Sequence, residues 1–131
     1  MDAQHLYRIV LIDDSRMARL GLREQLNRTA EFRIVGEAAS MAEGLELIER
    51  LNPDLVLLDI SLPDGSGVQA CCRLVAGRPD TRVLILSVYD DPAVIREAIA
   101  AGAQGYVLKD TPVAMWRDAM RRAAVGAAVL G

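Results

Sequence analysis

The stretch Leu55–Gly67 (LVLLDISLPDGSG) carries a charge where charge is expensive: Leu55, Val56, Leu57, Leu58 and Ile60 are apolar, and Asp59 interrupts them. Buried charge costs several kcal/mol unless it is paired or bound to a metal. Asp59 therefore either caps something at the exposed carboxyl end of a strand or is the reactive group of a site. Four more polar residues follow or end apolar runs in the same way: Asp13 and Asp14, Ser87, and Lys109. If the fold gathers them, three carboxylates repel by roughly 4 kcal/mol per pair at ~4 Å and an effective dielectric near 20. Lys109 offsets part of this, and a divalent cation can offset the rest. An all-oxygen set suits Mg²⁺, which binds through one or two carboxylates plus a phosphate. With no His or Cys nearby, zinc does not suit. A metal beside a central carboxylate fits transfer of a phosphoryl group onto that carboxylate, giving an aspartyl phosphate. The metal, Lys109 and the Ser87 hydroxyl can then each address one phosphoryl oxygen.

Five strand–helix pairs must position these groups. Arg8–Ile12 (RIVLI) is a continuous apolar run, the mark of a strand buried on both faces. A helix follows with Ala18, Leu22 and Leu26 on one side. Phe32–Ala38 is the second strand, and Ser40 with Glu43 forms a capping box for a helix with Met41, Leu45 and Ile48 on its apolar face. Asn52-Pro53 breaks that helix before the third strand, Asp54–Ile60. The turn-rich loop from Ser61 to Gly65 leads to a second capping box, Ser66 with Gln69, and a helix carrying Val68, Cys72 and Val75. A turn from Gly77 to Asp80 precedes the fourth strand, Arg82–Val88. Asp91 and Pro92 open a helix with Ile95, Ala98 and Ile99 inward and Gly102 as its C′ residue. Tyr106–Leu108 is the fifth strand. Thr111 caps and Pro112 begins the last helix, lined by Trp116, Ala119, Met120 and Ala123. Short buried strands alternating with helices predict an α/β domain with a parallel sheet. Sites in such sheets form at the carboxyl ends of the strands, where all the polar residues above fall except those of strand two, which contributes nothing comparable.

Composition narrows the classes. The 131 residues make one domain, with 52% hydrophobic and 25% charged residues, as in ordinary globular proteins. A net charge of −3 gives no general basic footprint for nucleic acid or anionic membrane. Cys71 and Cys72 are adjacent, which is no metal or redox spacing, and they read as core fillers in a reducing cytosol. No apolar run reaches the ~20 residues a membrane span needs, and residues 1–6, including His5, read as a short leader. A cytoplasmic protein with no membrane partner is expected.

The chain resembles the receiver domain of bacterial two-component response regulators over essentially its full length. The marks are Asp13-Asp14, Asp59 with Leu62-Pro63 and Gly67, Ser87, Tyr106 and Lys109-Asp110, in order and each at a strand end. The resemblance implies a doubly wound, CheY-like (flavodoxin-like) (βα)5 fold with strand order 2-1-3-4-5. It implies that Asp59 is the phosphoacceptor, that Asp14 binds Mg²⁺ directly and Asp13 largely through water, and that the Ser61 backbone carbonyl is a third protein ligand. Lys109 would pair with the phosphoryl oxygens, Ser87 would move to hydrogen-bond them, and Tyr106 would turn inward when Ser87 moves. A sensor histidine kinase or a small acyl phosphate is the implied donor, and the domain itself supplies the catalytic groups without being an enzyme on other substrates.

Departures from the commonest pattern are Val88, where a small residue is usual, and Asp110, where Pro is frequent; Ser61 and Tyr89 stand at positions that tune phosphoryl lifetime. GYVLKD is most similar to the NarL/LuxR branch, whose members carry a C-terminal helix-turn-helix. Residues 1–131 are then expected to be a receiver domain separated from such a DNA-binding domain. Met17 and Leu20 lie off the apolar face of the first helix, which suits part of a homodimer surface. Blander readings stand beside these: Asp14 and Ser15 as an N-cap pair, Ser87 satisfied by backbone, Tyr106 and Trp116 as core. Two other functions compete. A haloacid-dehalogenase-type phosphohydrolase wants an acid two residues after the nucleophile, where this chain has Ser61, and a cap for which it has no room. A pseudo-receiver, a pure interaction module, usually lacks an acid or the lysine, and none is missing here.

Overall fold

The computed structural model describes residues 6–59, 74–77, 80–87 and 92–126. Within them, five strands form one parallel sheet in the order β2-β1-β3-β4-β5. The strands are β1 (Tyr7–Ile12), β2 (Phe32–Ala38), β3 (Leu55–Asp59), β4 (Arg82–Ser87) and β5 (Gly105–Leu108). The helices are α1 (Arg16–Leu26), α2 (Met41–Leu51), α4 (Pro92–Ala100) and α5 (Val113–Ala124), with α3 described over residues 74–77. The expected strand order and α/β architecture hold.

Alternation along the strands builds two cores. Val10, Ile12, Val56, Leu58, Val83, Ile85 and Tyr106 pack on one face with Met41, Ile48, Leu74 and Ala98 from α2, α3 and α4. Ile9, Leu11, Leu55, Leu57, Leu84, Leu86 and Val107 pack on the other with Leu26 of α1 and Trp116, Ala119, Met120 and Ala123 of α5. Successive side chains of a strand point to opposite faces, so near-continuous apolar runs fill both.

Local signals set the boundaries. Ser15 caps α1, its Oγ accepting from the Ala18 N–H at 3.2 Å. Ser40 caps α2, accepting from the Glu43 N–H at 3.2 Å, and its hydroxyl approaches Glu43 Oε1 at 3.5 Å. Asn52 ends α2 in the left-handed region, with φ of 49°. Gly102, at φ of +103°, ends α4 in a Schellman motif: its N–H bonds to Ile99 O at 3.0 Å and that of Ala103 to Ala98 O at 3.1 Å.

Several boundaries differ from expectation: β1 begins at Tyr7 rather than Arg8, β3 at Leu55 rather than Asp54, and β5 at Gly105 rather than Tyr106. Gly77, expected in the turn, is helical. At α5, Pro112 rather than Thr111 holds the N-cap position, with ψ of 143° and no side-chain cap bond, and the helix begins at Val113. The Thr111 N–H closes a turn onto Leu108 O at 3.0 Å, which uses Thr111 as a link from β5 rather than as a cap. His5, Ile60, the loop from Ser61 to Gly65, the Ser66–Gln69 box, Val68, Cys71, Cys72, Val88, Tyr89, Asp91 and the side chain of Ile95 lie outside the described residues.

Candidate functional site

Strand register brings the charged residues together. Ile12 of β1 pairs with Leu58 of β3, so the residues that follow, Asp13 and Asp59, stand side by side at the carboxyl edge. Asp13 extends the ladder, its N–H reaching Ala38 O at 3.0 Å. Ser87 pairs with Leu108 in β4 and β5, and the Lys109 N–H bonds to Ser87 O at 2.8 Å. Parity then divides the group. Asp13, Asp59 and Lys109 continue the rows of Leu11, Leu57 and Val107, on the α1/α5 face; Ser87 and Tyr106 belong to the face covered by α2, α3 and α4.

The carboxylates are held rather than merely near. Asp13 is fully buried and Asp59 nearly so. Asp13 Oδ1 accepts from the Ser15 N–H at 2.9 Å, an Asx turn that sets the start of α1. Asp13 Oδ2 is buried without a well-aligned hydrogen bond and faces Lys109 Nζ at 2.7 Å. Lys109 Nζ also lies 3.5 Å from Asp59 Oδ2, at the outer limit of a hydrogen bond. Burial alone would lower the Lys109 pKa, but the contact with Asp13 and the charges of Asp59 and Asp13 outweigh it and hold that pKa above the ordinary lysine value.

Asp14 is exposed and, with Ser15 as the cap, is free for another use; one oxygen each from Asp13, Asp14 and Asp59 lie within 4.8 Å of one another. Three hard oxygen donors, one of them lacking an aligned partner, fit a small divalent cation better than a soft one. Ser87 is buried at the end of β4, and the Tyr106 ring is buried in the core, 2% exposed, so its side chain is inward here. Ser61 lies outside the described residues. On the α1/α5 side, Lys109 borders a cavity of about 260 Å³ whose walls include Ala18, Gly21, Leu22, Trp116 and Met120.

One part of the arrangement has no counterpart among the residues singled out in the sequence. Arg19 of α1 donates to the Asp13 backbone carbonyl at 2.5 Å and lies 3.6 Å from Glu37 Oε1 of β2. Arg23 joins the same carboxylate, its Nε donating to Glu37 Oε2 at 2.6 Å. Strand two, expected to contribute nothing comparable, therefore supplies a carboxylate one step behind the site. Glu37 carried a weaker signal than Asp59: it is a charge near the end of its strand, but Arg33 interrupts the same strand.

Comparison with known proteins agrees with this geometry. Residues 9–121 match the response regulator receiver domain. The DNA-binding transcriptional activator DevR/DosR of Mycobacterium tuberculosis is 41% identical over 105 residues, covering 80% of this chain and 48% of the relative. The nitrate/nitrite response regulator protein NarL of Escherichia coli (strain K12) is 35% identical over 130 residues, covering 99% and 60%. The signal receiver domain of the response regulator NarL from Mycobacterium tuberculosis superposes with a TM-score of 0.88 at 34% identity, covering 93% of this chain and 98% of that one. The chain spans about half the length of the first curated relatives it matches. Among the described residues no helix is long and apolar enough to cross a membrane. With its sheet order, its clustered strand-end acids and its lysine, the chain belongs to the response regulator receiver domain family.

Proposed function

We propose that Asp59 accepts a phosphoryl group and that the resulting aspartyl phosphate switches the domain between two conformations. The observation that carries this is the single ammonium, Lys109 Nζ, set 2.7 Å from Asp13 and 3.5 Å from Asp59 beside a third carboxylate. A carboxylate oxygen of Asp59 attacks phosphorus as the donor's P–N or P–O bond breaks, and the donor leaves with that electron pair. Lys109 meets the incoming negative oxygens, and Ser87 supplies a hydroxyl to another. Asp13, Asp14, Asp59 and the Ser61 carbonyl are the residues to hold Mg²⁺, which when bound neutralises charge on the transferring group. Tyr106, packed on the same face as Ser87, carries the change toward α4.

The donor is a sensor histidine kinase or a small acyl phosphate, and the setting is the cytoplasm. As the named relatives are transcriptional regulators, the output is control of DNA binding through a C-terminal domain outside residues 1–131, with homodimerisation as the intermediate step. Incubation with acetyl phosphate and Mg²⁺, followed by intact mass measurement, is expected to add one phosphoryl group to wild type. Asp59→Asn and EDTA are each expected to abolish it. Failure of wild type to gain the group, or its persistence in Asp59→Asn, overturns the reading.

A further inference from the structure

We infer that Arg19, held by Glu37, is a positioning residue for the cation site, which rests on the assignment of Asp13 and Asp14 to that site. Asp13 is constrained on three sides. Its N–H is tied to Ala38 of β2, its Oδ1 takes the Ser15 N–H, and its carbonyl takes a guanidinium N–H from Arg19 at 2.5 Å. The first two bonds fix the residue in the ladder and the turn. The third joins the turn to the body of α1, one helical turn beyond the cap.

Arg19 is itself held from behind by Glu37 at 3.6 Å, and Arg23 braces Glu37 on the same helix. The side chains of Arg19 and Glu37 are only 19% and 18% exposed, less open than the other ion pairs of the surface. A planar fork can address a carbonyl and a carboxylate together; the point-like ammonium of lysine cannot hold both with the same geometry. Groups behind the ligands that orient them affect metal affinity by about 10- to 100-fold. Arg19 and Glu37 form such a set for the β1–α1 turn, and β2 enters the site through them.

Charge and geometry must be separated, because a bare loss of the Arg19 charge would favour a cation while loss of its bonds would oppose it. Arg19→Lys keeps the charge and removes the fork. Glu37→Gln frees the fork and leaves more positive charge beside the site, so both its effects weaken cation binding.

The test is calorimetric titration of this chain with Mg²⁺, alongside urea unfolding in EDTA. Wild type is expected to bind, Arg19→Lys and Glu37→Gln to bind about tenfold more weakly, and the double variant to lose much less than the product of the two. Arg121→Lys breaks a two-bond ion pair to Glu31 at the opposite end of the sheet, where the Tyr7 N–H meets Glu31 O, and is expected to leave Mg²⁺ affinity unchanged. Wild-type affinity in Arg19→Lys overturns the inference, as does an affinity loss in Arg121→Lys that follows stability in the same proportion. Absence of Mg²⁺ binding by wild type overturns the cation site itself, a distinct result.

Discussion

Asp13 and Asp59 both lie beside the Lys109 ammonium, so the folded domain should feel the loss of that side chain. Replacing Lys109 with Met leaves Asp13 Oδ2 buried without a partner, and an orphaned charged acceptor costs about 1–3 kcal/mol or more. In EDTA, Lys109→Met is expected to unfold at lower urea than wild type, and Mg²⁺ is expected to stabilise the variant more than wild type, because a cation then replaces the missing ammonium. Equal stability of the two proteins in EDTA would show that Lys109 does not balance the acids. The alkaline limb gives the sign independently. Lys109 titrates higher folded than unfolded, so its contribution is complete below its ordinary value near 10.5 and is lost as pH rises through the folded value. The wild type minus Lys109→Met difference should shrink only there. Lys109, Asp59 and Asp13 were legible in the sequence because each is a polar break at the end of an apolar run. Arg19 was not: an arginine on a helix is ordinary, and its partner is a backbone carbonyl, which has no residue type.

Elements were legible for a related reason. Buried parallel strands leave apolar runs, and caps leave Ser, Asn and Gly at fixed offsets, so α2 appeared between Ser40 and Asn52; β2 appeared at its observed bounds although Arg33 and Glu37 interrupt its run. At α5 the expectation slipped by one residue, since Thr-Pro reads as cap and first helical position while the backbone spends Thr111 on a turn. Helix-to-sheet distance was not legible at all, and glycines reveal it. A Cβ on Gly44 of α2 would sit 2.8 Å from Ile12 Cγ1 and closer to its Cδ1, and Ile12 is fully buried beside Asp13. Gly21 of α1 has nothing within 4 Å of its missing Cβ. The same substitution should thus act with opposite signs. Gly44→Ala is expected to destabilise by about 1–3 kcal/mol through overpacking, and Gly21→Ala to stabilise by up to about 1 kcal/mol through helix propensity. Chemical denaturation of both variants checks this, and a neutral Gly44→Ala would mean that the Ile12 side chain or α2 gives way without cost.

Across the whole molecule, the sheet separates two consequences of the phosphorylation proposed at Asp59. Ser87 and Tyr106 sit on the face covered by α2, α3 and α4; Lys109 sits on the α1/α5 face, where its stem borders the same cavity as Trp116. Moving a two-state domain from 1:99 to 99:1 takes about 5.5 kcal/mol of differential binding. A few charge-assisted bonds to the phosphoryl oxygens, at about 1.5–3 kcal/mol each, reach that figure. In the proposed switch one of those bonds comes from Lys109, whose ammonium lies closer to Asp13 than to Asp59. On the proposed mechanism, turning toward the phosphoryl group would take its ammonium away from Asp13 and shift its stem in the cavity wall. Trp116 is the only tryptophan in the chain and is 6% exposed, so its emission comes from that wall alone. Acetyl phosphate with Mg²⁺ is expected to change the Trp116 emission of wild type at the rate at which the phosphoryl adduct forms. Mg²⁺ alone should produce a smaller, immediate change, and Asp59→Asn should show only that. A phosphorylated wild type whose emission stays constant would confine the switch to the Ser87–Tyr106 face, while an equal slow change in Asp59→Asn would detach it from the phosphoryl group.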